Sequence, residues 1–238
     1  ARSVNEEEIG GGGMAIFYRV FDRDLRRRVA MKVMLHELGV EKDLASRFVE
    51  EAQATAQLQH PGIVPVYEIG LDDDGKLFFT MKLVRGRTLA EVVSAARAPV
   101  DAGEAGERFT PFRLLQVFVE VARALYYANE RGVVHRDLKP QNVMIGPYGE
   151  VQVMDWGVAK VLAPLAPAAS SAPPDPVETG PSRSETRAGA IVATPAYMPP
   201  EQAEGDPAKV GPAADVYSLG ATLYHILTGQ APFHGHSS

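Results

Sequence analysis

The sequence has no cysteine among its 238 residues, which excludes disulfide bonds, thiol catalysis and cysteine-ligated metal sites. No apolar run approaches the ~20 residues that span a bilayer. The first residues do not resemble a signal peptide. A basic surplus is also missing, because the formal net charge is −6. We therefore expect no membrane segment in this stretch, no nucleic-acid partner and a location compatible with the cytoplasm.

Apolar residues make up 45% of the chain, which suffices for the core of one large domain or of two lobes. Strand-like patterns dominate residues 9–84, and helix-like patterns dominate the later residues. This order predicts the α+β class, with a small β-rich lobe and a larger helical lobe. The chain opens at Ala1 and stops just after an apolar helix-like segment, so we expect a piece of a longer protein.

The most informative stretch is residues 135–142, His-Arg-Asp-Leu-Lys-Pro-Gln-Asn, with a short apolar strand predicted on each side. In such a loop Asp137 can accept a hydroxyl proton, and Lys139 can neutralise charge that develops on a phosphate. Asn142 can offer an oxygen to Mg²⁺. The alternative is a turn in which the polar side chains cap the backbone and Pro140 stiffens it.

The first third of the chain holds two more candidates for phosphate binding. Residues 9–15 contain four successive glycines, which leave backbone amides open to a phosphate, although a flexible turn is the alternative. Lys32 lies inside an apolar strand, where a charge needs a partner unless the side chain reaches solvent. Glu50 and Glu51 lie on a helix predicted over residues 42–59. Either glutamate could face Lys32, and a solvated acidic face is the alternative.

Local patterns make four further predictions. Residues 1–8 are polar and are expected to be frayed. The acidic turn at residues 72–75 lacks the spacing of an EF-hand and is interpreted as a plain hairpin turn. A helix is predicted over residues 112–131, and Asp215 is predicted to be the N-cap of another. The first helix is amphipathic, and its expected apolar stripe consists of Leu114, Leu115, Phe118, Val121, Ala122, Leu125 and Tyr126. The second is predicted to be an apolar helix that runs through Val216, Leu219, Leu223, Ile226 and Leu227.

A strand predicted over residues 151–154 delivers Asp155-Trp156-Gly157, in which the aspartate either holds a metal or caps a turn. Residues 162–190 contain six prolines and little to bury, so we expect a mobile or disordered segment. It is either a spacer or a regulated flap with hydroxyls for phosphorylation. His234 and His236 are expected to be solvated. The flap hydroxyls are Ser170, Ser171, Thr179, Ser182, Ser184 and Thr186.

In this order the motifs resemble those of the eukaryotic-type protein kinase family, and most closely its bacterial serine/threonine members. The signature comprises a Gly-rich loop, Val-Ala-x-Lys, His-Arg-Asp-Leu-Lys-Pro-x-Asn, Asp-aromatic-Gly and Pro-Glu. The resemblance runs from Ile9 to Phe233. It implies lobes at residues 1–84 and 85–238, the second being partial. Departures from the family pattern are Ala15, Trp156, Pro199 and Lys82.

The resemblance implies ATP as the phosphate donor, with Lys32 on the α- and β-phosphates and paired with Glu51 instead of Glu50. Lys82 to Val84 would form the hinge that hydrogen-bonds adenine. The implied ATP-binding residues are Ile9, Gly10, Gly11, Gly12, Gly13, Met14, Ala15, Phe17, Ala30, Lys32, Glu51, Met81, Lys82, Val84, Met144 and Met154.

By the same resemblance, Asp137 is the catalytic base, Lys139 contacts the γ-phosphate and Thr194 supports Asp137. Asn142 and Asp155 are the implied Mg²⁺ ligands. Asp215 would hold the backbone of the catalytic loop. The implied regulatory residues are Arg136, which would meet a phosphate, and Thr179, Ser182, Ser184 and Thr186, which would carry it.

Lys139 and the Thr194-Pro195 pair favour protein substrates with Ser or Thr hydroxyls, and self-association for autophosphorylation is a further expectation. Two alternatives stay open. One is a nucleotide-binding pseudokinase or docking module, and retention of the lysine, base and metal ligands argues against it. The other is a small-molecule phosphotransferase of this fold, and the peptide-receiving segment 194–201 argues against it.

Overall fold

The computed structural model describes residues 3–11, 15–35, 42–97, 109–157, 159–162 and 194–233. The described residues form two compact units. The first holds residues 3–59 and 64–84, and the second holds residues 60–63 and those from 85 onwards. The predictions for the flap hydroxyls, for His234 and His236, and for Gly12, Gly13 and Met14 lie outside the described residues.

The first unit is built on a five-stranded antiparallel sheet with strand order β1-β2-β3-β5-β4. One helix accompanies the sheet and contacts β4. Its elements are β1 (Ser3–Gly11), β2 (Ala15–Asp22), β3 (Arg27–Met34), α1 (Lys42–Gln57), β4 (Val66–Leu71) and β5 (Leu77–Lys82).

The prediction that residues 1–8 are frayed is wrong for residues 3–8, because Ser3–Gly11 forms edge strand β1 against β2. An edge strand needs backbone partners on one side only, so its side chains can remain polar and exposed. Arg19 and Arg28 on the neighbouring strands donate from Nε to Glu6 Oε2 at 3.2 and 2.8 Å. The hydrogen bond from Arg28 and the charges of both arginines lower the pKa of Glu6.

The alternation of the central strand β3 places its side chains on two different faces of the sheet. Met31 and Val33 pack with Val20 and Val29 in an apolar cluster, which Tyr18 and Phe78 cover. Lys32 falls on the opposite face, where its cross-strand neighbours are Phe17 on β2 and Phe79 on β5. The two-residue period of the strand therefore places the buried ammonium of Lys32 beside aromatic rings.

The acidic turn at residues 72–75 is a hairpin turn, as predicted. Asp72 Oδ1 accepts hydrogen bonds from the amides of Asp74 and Lys76 at 3.0 and 2.8 Å, and Gly75 takes a positive φ of 78°. The carboxylate thus satisfies the backbone of its own turn.

The second unit contains a three-stranded sheet ordered β6-β8-β9, a two-stranded sheet β10-β7 and four helices. Short 3₁₀ turns occur at Pro140–Asn142, Pro195–Tyr197 and Pro207–Lys209. The other elements are β6 (Arg87–Thr88), α2 (Leu89–Arg97), α3 (Pro111–Glu130), β7 (Val133–Val134), β8 (Val143–Ile145), β9 (Val151–Val153), β10 (Lys160–Val161), α4 (Pro200–Ala203) and α5 (Pro212–Thr228).

The predicted helix over 112–131 is α3, which Thr110 caps by accepting a hydrogen bond from the Arg113 amide. The predicted buried face is wrong at two positions, because Leu115 and Tyr126 are exposed. The observed face rotates toward alanines and valines, which let neighbouring elements approach closely. Its buried residues are Leu114, Val117, Val121, Ala124, Leu125 and Ala128.

The prediction that Asp215 is an N-cap is wrong, because α5 is capped at Gly211 and opens with Pro212. The predicted apolar helix is present as α5, although two of its apolar residues, Val216 and Leu227, are exposed. The buried face is instead small and polar, with Ile226 as its one large apolar member. It consists of Ala214, Asp215, Ser218, Ala221, Thr222 and Ile226.

Gly86, at the start of the second unit, has a backbone conformation that requires glycine. Its φ is 140°, and a Cβ atom there would lie 2.1 Å from the carbonyl oxygen of Ile145. The close approach precedes the pairing of β6 with β8.

Among the described residues, none of the helices has the length and apolar character needed to cross a membrane.

Candidate active site

One buried carboxylate, that of Asp215 on α5, anchors the backbone of the loop between β7 and β8. Asp215 is 1% exposed. Its Oδ1 accepts from the Arg136 amide at 3.0 Å, and its Oδ2 accepts from the His135 amide at 2.9 Å and from Asn129 Nδ2 at 2.8 Å. These bonds fix the backbone just before Asp137, so helix α5 helps to determine where the carboxylate of Asp137 lies.

The loop backbone is strained at Arg136, which has a positive φ of 67°. A non-glycine residue in this region costs about 1–3 kcal/mol and persists only where its surroundings determine it. Asp215 holds the Arg136 amide, and Gln202 Nε2 donates to the Arg136 carbonyl at 2.9 Å. Both peptide groups of this residue are therefore anchored from later parts of the chain.

His135 is fully buried and links this loop to the strand end that precedes Asp155. Its Nε2 lies 3.0 Å from the Met154 carbonyl oxygen, and its Nδ1 accepts from the Asp137 amide at 3.2 Å. Because a carbonyl only accepts, the ring proton sits on Nε2. The ring packs against Trp156 with centroids 4.6 Å apart. The sequence analysis missed this role, and the only signal was the histidine's place beside Arg136-Asp137.

The carboxylate of Asp137 receives four hydrogen bonds. Oδ1 accepts from Thr194 N at 3.0 Å and from Thr194 Oγ1 at 3.1 Å. Oδ2 accepts from Lys139 Nζ at 2.8 Å and from Asn142 Nδ2 at 3.2 Å. The structure thus brings together all three predicted catalytic residues and one predicted metal ligand around a single carboxylate.

Lys139 connects Asp137 to the segment that begins at Thr194. Its ammonium donates to Thr194 Oγ1 at 2.6 Å as well as to Asp137, so the threonine hydroxyl is left to donate to the carboxylate. The side chains of Lys139 and Asp137 are 21% and 12% exposed. A fixed proton acceptor with a cation beside it suits a reaction that moves a proton and gathers negative charge.

Asn142 and Asp155 are the residues that could hold a metal. Asn142 Nδ2 donates to the carbonyl and to Oδ2 of Asp137, so the carboxamide oxygen lies at the other end of a fixed amide. Asp155 is exposed and has a positive φ of 60°. These oxygen donors fit a hard cation that takes its remaining ligands from phosphate and water. The part of the chain that the structure describes has no cluster of three His, Cys, Asp or Glu that could hold a metal by itself.

Substituting Asp215 should destabilise the protein strongly without touching any reacting group. Asp215→Ala removes the acceptor of two buried backbone amides and of Asn129, and each unsatisfied buried donor costs about 1–3 kcal/mol. We expect a loss of about 3–5 kcal/mol in the free energy of unfolding. Urea denaturation measures it.

The matched control is Glu204→Ala, which removes a carboxylate from an exposed pair with Lys209 in the same unit. Its denaturation midpoint should equal that of the unsubstituted protein. Equal midpoints for Asp215→Ala and Glu204→Ala would show that the carboxylate does not hold the loop.

In the first unit, Lys32 Nζ forms an ion pair with Glu51, at 2.6 Å from Oε1 and 2.8 Å from Oε2. Glu51 is the glutamate that the family resemblance indicated. The two side chains are 10% and 9% exposed. Phe17, Phe48 and Phe79 surround the ammonium at 5.6–5.9 Å from their ring centroids. The pair is therefore shielded from solvent and held in one geometry.

The described part of the Gly-rich stretch ends β1 and begins β2. Ile9, Gly10 and Gly11 are exposed at the end of β1, while Ala15 is buried at the start of β2. A Cβ atom at Gly10 would meet no atom within 4 Å. Glycine at this position therefore leaves its backbone open instead of relieving an internal contact.

The other predicted ATP-binding residues lie in both units. In the first unit Ala30 and Met81 are buried cross-strand partners, and the Lys82 amide donates to the Pro65 carbonyl at 3.1 Å. Val84 is half-buried. Met144 and Met154 are half-buried in the second unit.

Arg136 is the one predicted regulatory residue that the structure describes, and its side chain is mostly buried. Burial and the charge of Arg136 lower the pKa of Lys160 on β10. Its ammonium donates to the Val210 carbonyl at 3.2 Å. The sequence analysis did not select Lys160, and its only signal was its position five residues after Asp155.

The family model for the protein kinase domain matches residues 3–238. A serine/threonine-protein kinase PknD from Protochlamydia amoebophila is 37% identical over 95% of this chain and 23% of its own length. PknB from Mycobacterium tuberculosis is 37% identical over 97% of this chain and 33% of its own length. Pkn3 from Myxococcus xanthus is 35% identical over 98% of this chain and 39% of its own length.

The chain thus spans between about a quarter and two fifths of the length of these relatives. The sequence-based predictions of an α+β fold and of the protein kinase family are confirmed. Since the family model matches from Ser3 to the last residue, the chain belongs to the protein kinase family.

Proposed function

We propose that this chain is the catalytic domain of a serine/threonine protein kinase, which transfers the γ-phosphate of ATP to Ser and Thr hydroxyls of proteins. The observation that carries the proposal is the carboxylate of Asp137, held by Thr194, Lys139 and Asn142. Three relatives that align over nearly the whole chain are named serine/threonine-protein kinases, which supports the same substrate class.

Asp137 would accept the proton of the attacking hydroxyl. Thr194 hydrogen-bonds Oδ1, and Lys139 and Asn142 hydrogen-bond Oδ2, so the carboxylate cannot rotate away. Preorganised groups of this kind lower the barrier because they need no rearrangement during the reaction. The positive charge of Lys139 would neutralise negative charge that develops on the transferred phosphate and thereby stabilise the transition state.

Family membership implies ATP as the phosphate donor and a divalent metal ion. We assign the phosphate contact in the first unit to Lys32, whose ammonium Glu51 orients. The open backbone at Gly10 would lie against the phosphates, with the exposed Gly11 beside it. The apolar residues that we assign to the adenine ring are Ala30 and Met81 of the first unit and Met144 and Met154 of the second, and the backbone of Lys82 to Val84 would hydrogen-bond the ring.

We assign the metal ion as Mg²⁺, held by Asn142 and Asp155. When bound, the ion neutralises phosphate charge and orients the transferred group. Mg²⁺ prefers oxygen ligands and usually takes only one or two from the protein, in keeping with one carboxamide and one carboxylate. The amide of Asn142 would act twice, because its nitrogen donates to Asp137 and its oxygen is the atom that would bind the ion.

A pseudokinase remains the second candidate. It would bind ATP without transferring phosphate, and the complete set of Lys32, Asp137, Asn142 and Asp155 argues against it.

We further propose that phosphorylation among Ser170, Ser171, Thr179, Ser182, Ser184 and Thr186 regulates the domain through Arg136 and Lys160, with self-association for autophosphorylation. Because the reaction consumes ATP, we place the domain in the cytoplasm.

The test is transfer of phosphate from radiolabelled ATP to dephosphorylated casein, at pH 7.5 with and without Mg²⁺. We expect incorporation on Ser and Thr that EDTA abolishes, that added Mg²⁺ restores and that Ca²⁺ restores poorly, because Ca²⁺ prefers more ligands at longer distances. Phosphoamino-acid analysis identifies the acceptor. Binding of ATP with Mg²⁺ but no transfer would favour the pseudokinase.

A further inference from the structure

The segment that follows Thr194 is attached to helix α5 through Tyr197. The buried phenol oxygen of Tyr197 lies 2.7 Å from Nδ1 of His225, and the two rings stack with centroids 6.1 Å apart. Ser218 Oγ donates to the Tyr197 carbonyl at 3.0 Å. Two points on α5 therefore hold the same residue, one through its backbone and one through its ring.

The environment decides where the shared proton lies. Burial raises the pKa of Tyr197, so the phenol keeps its proton. Burial and the nearby Arg97 guanidinium lower the pKa of His225 from its ordinary value of 6.5, so the imidazole is neutral near pH 7. Tyr197 therefore donates to Nδ1, and the ring proton of His225 sits on Nε2.

We propose that the Tyr197–His225 hydrogen bond positions the segment 194–198 for the protein substrate, and that proton binding to His225 releases it. The inference rests on the proposed function. The Tyr197 amide donates to the Thr194 carbonyl at 3.0 Å within one 3₁₀ turn, and Thr194 holds Asp137. A shift of Tyr197 therefore moves the residue that supports the catalytic carboxylate.

A protonated His225 cannot accept the hydrogen bond, because Nδ1 then carries a proton of its own. The new charge also faces Arg97, which is fixed because Nη2 donates to the carbonyls of Ile226 and Leu227 at the end of α5. In the part of the chain that the structure describes, the charged or titratable groups that act on the imidazole are Arg97 from α2 and Tyr197 from the 3₁₀ turn. One repels the charged ring, and the other loses its acceptor.

The sign of the pH effect follows from the lowered pKa of His225. In the unfolded chain the ring binds its proton near 6.5, and in the folded protein it does so only at lower pH. The contribution of the neutral ring is therefore complete above that ordinary value and declines as the pH falls below it. Asp137-dependent transfer should lose its substrate positioning only as the pH falls through the lowered pKa of His225 in the folded protein.

The test compares the unsubstituted chain with His225→Asn over pH 5.5–8.0. The asparagine oxygen takes the place of Nδ1, so it accepts from Tyr197 but does not titrate. Between pH 7.5 and 5.5 we expect KM for casein to rise about 2- to 10-fold more in the unsubstituted chain than in His225→Asn, the range for one hydrogen bond. KM for ATP should change equally in both proteins.

Comparison with His225→Asn cancels the titration of His60, whose pKa is also lowered by burial, and of the casein itself. Tyr197→Phe is the second variant: it lacks the donor, so its KM for casein should be high at pH 7.5 and should show no extra rise at pH 5.5. Coincident pH profiles for His225→Asn and the unsubstituted chain would overturn the inference.

Hydrogen exchange separates this inference from the proposed function. Exchange of the amides of Thr194, Ala196, Tyr197 and Met198, corrected for intrinsic rates, should accelerate at pH 5.5 relative to pH 7.5 in the unsubstituted chain and not in His225→Asn. A chain that transfers no phosphate at any pH refutes the proposed function, while the exchange data still decide the coupling. Equal exchange in the unsubstituted chain and in His225→Asn would overturn the inference that His225 controls the segment 194–198.

Discussion

Replacing Asp137 by Asn should lower kcat for phosphate transfer by about 10²–10⁴-fold, the usual contribution of a positioned base. The carboxamide cannot take up the hydroxyl proton. It also presents an NH₂ group either to the Thr194 donors or to those of Lys139 and Asn142, so one side of the cluster loses its acceptor. KM for ATP should stay unchanged, because no ATP contact is assigned to this side chain.

The experiment measures kcat and KM for ATP and for casein in the two proteins. Asp206→Asn is the matched control, because it removes a carboxylate of the same unit that accepts from the exposed Ala208 amide instead of from the catalytic loop. Thermal midpoints should confirm that all three proteins are folded. If Asp137→Asn kept a tenth or more of the original kcat, Asp137 would not be the base.

The short-range part of this site could be predicted from the sequence. Asp137, Lys139 and Asn142 lie within six residues, and apolar strands on both sides show that they share one loop. The long-range part could not, because Thr194 and Asp215 reach the loop from 57 or more residues away. No periodicity reports such a contact. Only the family resemblance indicated these two residues.

Helix α5 shows why the burial of a helix face is hard to predict. Apolar content selected Val216 and Leu227, but both are exposed. The helix is oriented instead by Asp215, whose carboxylate must reach the amides of His135 and Arg136, and by the small residues that let α3 approach. A few buried hydrogen bonds to a charged group, each worth about 1.5–3 kcal/mol, outweigh the gain from burying one valine.

The prediction for strand β1 was wrong because its residues are polar. The rule that strands alternate apolar and polar residues applies to a strand with one buried face, and an edge strand can be held by its backbone and by ion pairs such as those of Glu6. The positive φ values of Arg136 and Asp155 also escaped prediction, since glycine is the usual signal for that conformation. Both strained residues lie in the candidate site, where the surrounding structure compensates for the strain.

Lys32→Met should reduce phosphate transfer strongly and destabilise the protein at the same time. The ammonium is the phosphate contact that we assign in the first unit, and its loss leaves the carboxylate of Glu51, 9% exposed, without the cation that neutralises it. Breaking one side of a buried ion pair costs about 3–5 kcal/mol. Activity and stability therefore fall together, and a single variant cannot separate the two causes.

The double variant Lys32→Met, Glu51→Leu separates them. Two apolar side chains suit the surroundings formed by Phe17, Phe48 and Phe79, so stability should return to that of the unsubstituted chain or exceed it. Phosphate transfer should stay low, because no cation has been restored. The matched control is Lys32→Met, Glu50→Leu, which keeps Glu51 charged and should not regain stability. Recovery of transfer in the Glu51→Leu double variant would refute a chemical role for Lys32.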